Sequence, residues 1–221
     1  MLDGPDTTIP GTLPRRLVAA VPNFVLAGTF VVTWVSPPAL GERMVAYLVL
    51  VMLVELVTVH SSGLLMGFAV SDFERAVKVP VVAGLALVYT ALLGGFSLAF
   101  GTWWPLVTFW LLTANRLLGP LLAGRARSES EKTYVYFGWG FGAVAYLVSA
   151  GVTTMLPVPR LGVTRAVVAA QELPGEGLWV DEPHRALAFG VLYFTVVGLW
   201  ELSPWAKPAP GASRGGQPEA A

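Results

Sequence analysis

Apolar residues fall along this chain in long uncharged blocks rather than in alternation. A helix needs about 20 apolar residues to cross the ~30 Å hydrocarbon core of a bilayer. Six stretches approach that length: residues 17–35, 44–70, 79–100, 103–122, 134–156 and 186–202. The pattern predicts an all-α fold, a polytopic integral membrane bundle of six transmembrane helices. The last stretch is the weakest, since its uncharged run stops at Trp200. Trp200 and Trp205 suit an anchor at headgroup depth, where indoles concentrate.

Composition agrees with the pattern. The 221 residues are 55% hydrophobic and only 13% charged, about half the ~25% charge of soluble domains. Mean hydropathy is +0.65. Net charge is zero and no basic tract is long enough for nucleic acid, so none is expected as a partner. The absence of cysteine removes thiolate metal sites, disulfides and thiol catalysis.

Six spans place both termini on one side. That side would hold ten of the fourteen Lys and Arg residues, leaving Arg43, Arg160, Arg165 and Arg185 opposite. Basic short loops stay in the cytoplasm. Both termini are therefore expected to be cytoplasmic, in an inner (cytoplasmic) cell membrane. Arg15 and Arg16 resemble the start of a signal peptide, but the apolar run after them is too long and lacks an A-x-A-like site, so a retained helix is expected.

The domain reading is a flexible cytoplasmic arm over residues 1–13, a membrane domain over 14–205, and a disordered tail over 206–221 rich in Pro, Gly and Ala. Most connections are tight, and Gly101-Thr102 suffices to turn the third helix into the fourth. The exception is the external loop 157–184. Thr164 is placed to cap a short helix running to Leu173, and Pro174-Gly175 to stop it. Asp181 then reads as the cap of the sixth span, with Pro183 in its first turn. A loop of this length is either functional or an interfacial helix on the outer leaflet.

The chemistry that stands out is polar residues inside the second block. Glu55 and His60 are its carboxylate and imidazole. A carboxylate near the bilayer centre costs at least ~2.5–3.5 kcal/mol on insertion scales, so it is paired, protonated or functional. At about 100° per residue, Glu55, Thr58 and Ser62 share one helix face. His60 lies about 140° away by the same rotation, nearer Gly63 and Gly67, whose small-xxx-small spacing admits a close neighbour. Arg116 in the fourth block is the expected cation for Glu55 or neighbour for His60, and Asn23 beside Pro22 a second polar partner. Tyr89 is a further donor for a protonated Glu55. Ser61 and Ser62 lack an aligned base, since His60 and Ser61 point about 100° apart. Gly138 and Gly142 in the fifth block are expected to serve helix packing.

No cofactor and no metal are predicted. The two histidines, His60 and His184, lie ~20 Å apart by helical rise and cannot share one haem iron. Asp181, Glu182 and His184 read as residues of a helix start rather than ligands. Besides the lipid bilayer, the expected partners are other membrane proteins or further copies of the chain. Three functions fit: a non-catalytic subunit or accessory component, which the sparse polar groups favour; a small proton-coupled transporter using Glu55, His60 and Arg116, marked by a cavity reaching Glu55; and an intramembrane enzyme on a lipid or quinone, marked by a second ionisable group within about 4 Å of Glu55 or His60.

Overall fold

The computed structural model describes residues 13–70, 73–111 and 129–203. Every regular element among them is helical, with no strand. The helices are α1 (Leu13–Val35), α2 (Met44–Val70), α3 (Arg75–Ala99), α4 (described over 104–111), α5 (Glu129–Met155), α6 (Arg165–Gln171), α7 (Leu178–Asp181) and α8 (Pro183–Leu202). A 3-10 turn, Pro37–Leu40, links α1 to α2.

Four helices are long and apolar enough to cross a membrane: Arg16–Val35, Met44–Leu65, Ala76–Ala99 and Pro183–Leu202. They mark a membrane-associated protein. Large apolar side chains such as Val18 on α1 and Leu87 and Leu98 on α3 point outward, an arrangement hydrocarbon tolerates and water does not. Helix α5 is 27 residues long, but glycine, tyrosine and tryptophan dilute its hydropathy. Most of the fourth predicted block, with Asn115 and Arg116, lies outside the described residues, as do the terminal arm and tail.

Helix α8 is the hub. It runs along α1 and also packs on α5 and α2, while α2 carries α3 on another side. Two glycines let α8 approach α1. A Cβ at Gly190 would overlap the Phe30 ring, and one at Gly198 would come within 3.0 Å of Phe24. Phe30 is fully buried and forms a core with Leu48, Met52, Tyr146, Leu187 and Phe189.

The segment between α5 and α8 ties four helix ends together. The Trp34 indole donates to the Pro159 carbonyl at 3.0 Å, and the Gly162 amide donates to the Trp34 carbonyl at 3.0 Å. A side chain at Gly162 would collide with the Val35 carbonyl. From α6, the buried Gln171 accepts from the Ala46 amide at 3.1 Å and donates to the Glu42 carbonyl at 2.7 Å. It therefore satisfies an amide that the first turn of α2 leaves without a helical partner. Arg185 of α8 donates to the carbonyls of Thr153, Thr154 and Leu156, which α5 leaves open at its C-terminus. The C-termini of α1 and α5 and the N-termini of α2 and α8 thus gather at one end, here the loop end.

Local details follow the expected chemistry with two corrections. Thr164 accepts from the Val167 amide at 3.3 Å and caps α6, with Val167 and Val168 packed on the core. The helix stops at Gln171, two residues before the expected Leu173, because Glu172 turns left-handed at φ 47°. Asp181 does not cap α8. It ends the short α7, and Glu182 takes the cap position with no side-chain cap bond, because its carboxylate is held by Arg185 and by Arg160 at 3.2 Å. Past α3, the Thr102 amide bonds the Ser97 carbonyl at 2.9 Å while Gly101 adopts φ 63°, a left-handed stop that suits glycine.

Candidate functional site

Glu55 and Tyr193 sit at the same depth because α2 and α8 both start at the loop end, each about ten residues before these side chains, or ~15 Å by helical rise. The Tyr193 hydroxyl donates to Glu55 Oε1 at 2.7 Å. Tyr193 is itself buried and packs edge-on against Tyr146, with ring centroids 5.4 Å apart. The Tyr146 hydroxyl in turn donates to the Met52 carbonyl at 2.8 Å, one turn above Glu55. Two tyrosines therefore fix the loop-side wall of the acid.

From Glu55 a cavity of about 310 Å³ opens between α2, α5 and α8. Glu55, Thr58, Val59, Ser62 and Gly63 supply the α2 wall; Tyr136, Gly138, Trp139 and Gly142 supply the α5 wall; Tyr193 closes it on α8. The Thr58 hydroxyl is buried with no hydrogen-bond partner among the described residues. Leaving such a group unsatisfied costs about 1–3 kcal/mol. The Ser61 and Ser62 hydroxyls both donate back to the Thr58 carbonyl, Ser61 at 3.2 Å. Both hydroxyls thus reach back to the backbone of their own helix.

The glycines play two different parts. Gly63 seats the Trp139 indole, whose Nε1–H donates to the Val59 carbonyl at 2.8 Å; a Cβ at Gly63 would overlap the ring. Gly67 faces the Tyr136 ring at 4.0 Å. Both notches on α2 therefore receive aromatic side chains rather than a backbone. At Gly138 and Gly142 a Cβ would meet none of the described residues within 4 Å. These two widen the cavity instead of bringing helices together.

Not every residue singled out by sequence reaches the site. His60 is exposed and turns to α3, where it meets Tyr89 edge-on with centroids 6.1 Å apart. It lines no part of the cavity, so no Glu55–His60 relay forms. Tyr89 sits with Phe109 and Leu93 in a separate core, and the tyrosine bonded to Glu55 is Tyr193. Asn23 is half-buried on α1 and is not among the cavity-lining residues. Arg116 lies outside the described residues.

Sequence reasoning does not single out Tyr193 or Tyr136. The depth of Tyr193, equal to that of Glu55 once both helices start on one side, was the signal that could have found it. At the loop end, His184 is buried, Asp181 is exposed and Glu182 is engaged by two arginines. Among the described residues no group of three His, Asp or Glu side chains converges to hold a metal. Comparison with family models, curated proteins and solved structures finds no match to this chain.

Proposed function

We propose that this chain is a small multi-pass carrier of the inner (cytoplasmic) membrane, with six spans, both termini cytoplasmic and a proton-binding site at Glu55. The observation that carries the reading is the cavity at mid-span that ends on a carboxylate. Packing alone calls for no such space: a bundle held together by Glu55 as glue would close the gap that Gly138 and Gly142 leave open. A carboxylate hydrogen-bonded to a phenol, beside a buried hydroxyl without a partner among the described residues, is a group suited to taking up and releasing a proton.

The six-span count rests on the four apolar helices, on α5, which is uncharged from Thr133 to Met155, and on the apolar block 103–122. The cytoplasmic termini rest on the basic residues of the termini and adjoining loops. His60 falls away from the transport group, and Tyr193 and Thr58 join Glu55 in it. An enzyme has less support. Tyr193 stands within hydrogen-bond reach of Glu55, but the Ser61 and Ser62 hydroxyls both donate to the Thr58 carbonyl, which is not the arrangement of an activated nucleophile.

Electrophysiology of proteoliposomes on a solid support tests the proposal. pH jumps, and jumps in panels of amino acids, sugars and small amines, should give transient currents in the wild type. Those currents should vanish in Glu55→Gln while insertion and melting stay normal. Equal, current-free traces for both proteins remove the carrier and leave an accessory subunit.

A further inference from the structure

The cavity is sealed at one end and graded in polarity toward the other, which bears on how it is filled. Between Glu55 and the loop end lie Val45, Leu48, Met52, Tyr146 and Phe189, none more than 3% exposed. They amount to ~15 Å of packed side chains by helical rise, locked by the Tyr146–Met52 hydrogen bond. In the opposite direction the cavity follows α2 from Glu55 to Gly63, about 12 Å by the same rise. Glu55, Thr58 and Ser62 form a polar stripe on successive turns along that path.

At its far end the Trp139 indole lies in the Gly63 notch, and the Tyr136 ring stands beyond it at Gly67. Both rings are about 40% exposed or more, at 40% and 44%. Neither ring belongs to the buried cores of the bundle. The N-termini of α1 and α5 and the C-termini of α2 and α8 share that end, so it is the side of the chain termini.

Resting on the carrier reading, we infer that the Glu55 cavity is loaded from the terminus side past Trp139, and that its solute is small, polar and water-borne rather than dissolved in lipid. The volume of about 310 Å³ matches on the order of ten waters at ~30 Å³ each, room for a solute of amino-acid size. The Thr58 hydroxyl, buried without a partner among the described residues, is a group that such a solute, or the water accompanying it, satisfies. A lipid-borne amphiphile would have to place its polar end at the deepest point of the site, away from the headgroups.

The chain has no cysteine, so single thiols report access without background. At Gly138→Cys and Gly142→Cys the added Cβ meets none of the described residues within 4 Å. Met155→Cys, 85% exposed at the loop end, controls for sidedness. The probe is the cationic, membrane-impermeant thiol reagent MTSET, applied to full-length protein in vesicles of known orientation. We expect both glycine-site thiols to react from the terminus side only, Gly138→Cys several-fold faster. Adding Trp139→Ala should speed Gly142→Cys roughly tenfold, and Met155→Cys should react only from the loop side.

Reaction of the cavity thiols from the loop side overturns the inference. So does reaction only with the apolar, permeant N-ethylmaleimide, which marks a lipid route, and so does no reaction with either reagent. If Glu55-dependent currents persist in any of those cases, the carrier stands and only the route falls. Labelling as expected without currents supports the water-filled route and removes the carrier.

Discussion

Tyr193 donates to Glu55 at 2.7 Å across the contact between α8 and α2, halfway down both helices. The pair joins two elements that are far apart in sequence and meet only because the loop end fixes where both begin. Its strength is measurable by a double-mutant cycle of Glu55→Gln and Tyr193→Phe. Interhelical hydrogen bonds in membrane proteins give coupling of about 0.6–1.7 kcal/mol, and a value in that range is expected from unfolding in detergent. Additive single effects would show that the two side chains do not support each other.

Gly63 and Gly138 should respond to the same substitution with opposite signs. Gly63→Ala drives a methyl into the Trp139 ring and breaks its bond to the Val59 carbonyl. Overpacking of this kind costs about 1–3 kcal/mol. Gly138→Ala meets none of the described residues within 4 Å and gains up to ~1 kcal/mol of helix propensity. Melting in detergent checks both. Trp139→Ala should relieve the cost of Gly63→Ala, because the ring it collides with is gone.

The second block was legible because charge bounds it, at Arg43 and Asp72, and α2 fills residues 44–70 as its pattern dictates. Thr164 was legible for a similar reason: a cap needs only local chemistry. The partner of Glu55 was not. It depends on how α8 is rotated against α2, which Phe24 and Phe30 set through Gly198 and Gly190. Nor could spacing show whether a glycine admits a neighbour or leaves a hole. Gly63 and Gly142 look alike in sequence, yet an indole fills one notch and open space the other.

Gln171 should matter more than its place in a seven-residue helix suggests. Its amide satisfies the Ala46 N–H and the Glu42 carbonyl together. Gln171→Ala leaves both without this partner, at a cost of about 1–2 kcal/mol on the scale of lost caps. Hydrogen exchange at Ala46 should rise several-fold while amides near Glu55 stay protected. Gln171→Glu keeps an acceptor for Ala46 but sets a carboxylate oxygen against the Glu42 carbonyl, so it should also destabilise at neutral pH. Unchanged exchange in both variants would show that α6 merely rests on the bundle.

The loop end should also loosen in acid. The hydrogen bond from Arg185 holds the Glu182 carboxyl below its ordinary value of 4.5, helped by the nearby charges of Arg185, His184 and Arg160. A carboxyl depressed in the folded state contributes stability that is complete above its unfolded value and is lost as pH falls through the folded one. The melting temperature should therefore be insensitive to Glu182 from pH 8 to about 5 and should decline below that as the carboxylate takes up a proton. Protonation removes the negative partner of Arg160 and Arg185, and Arg185 also caps α5. Glu182→Gln should lower stability at neutral pH and flatten the acid limb. An acid limb of equal steepness in wild type and variant would assign the pH dependence to other carboxylates.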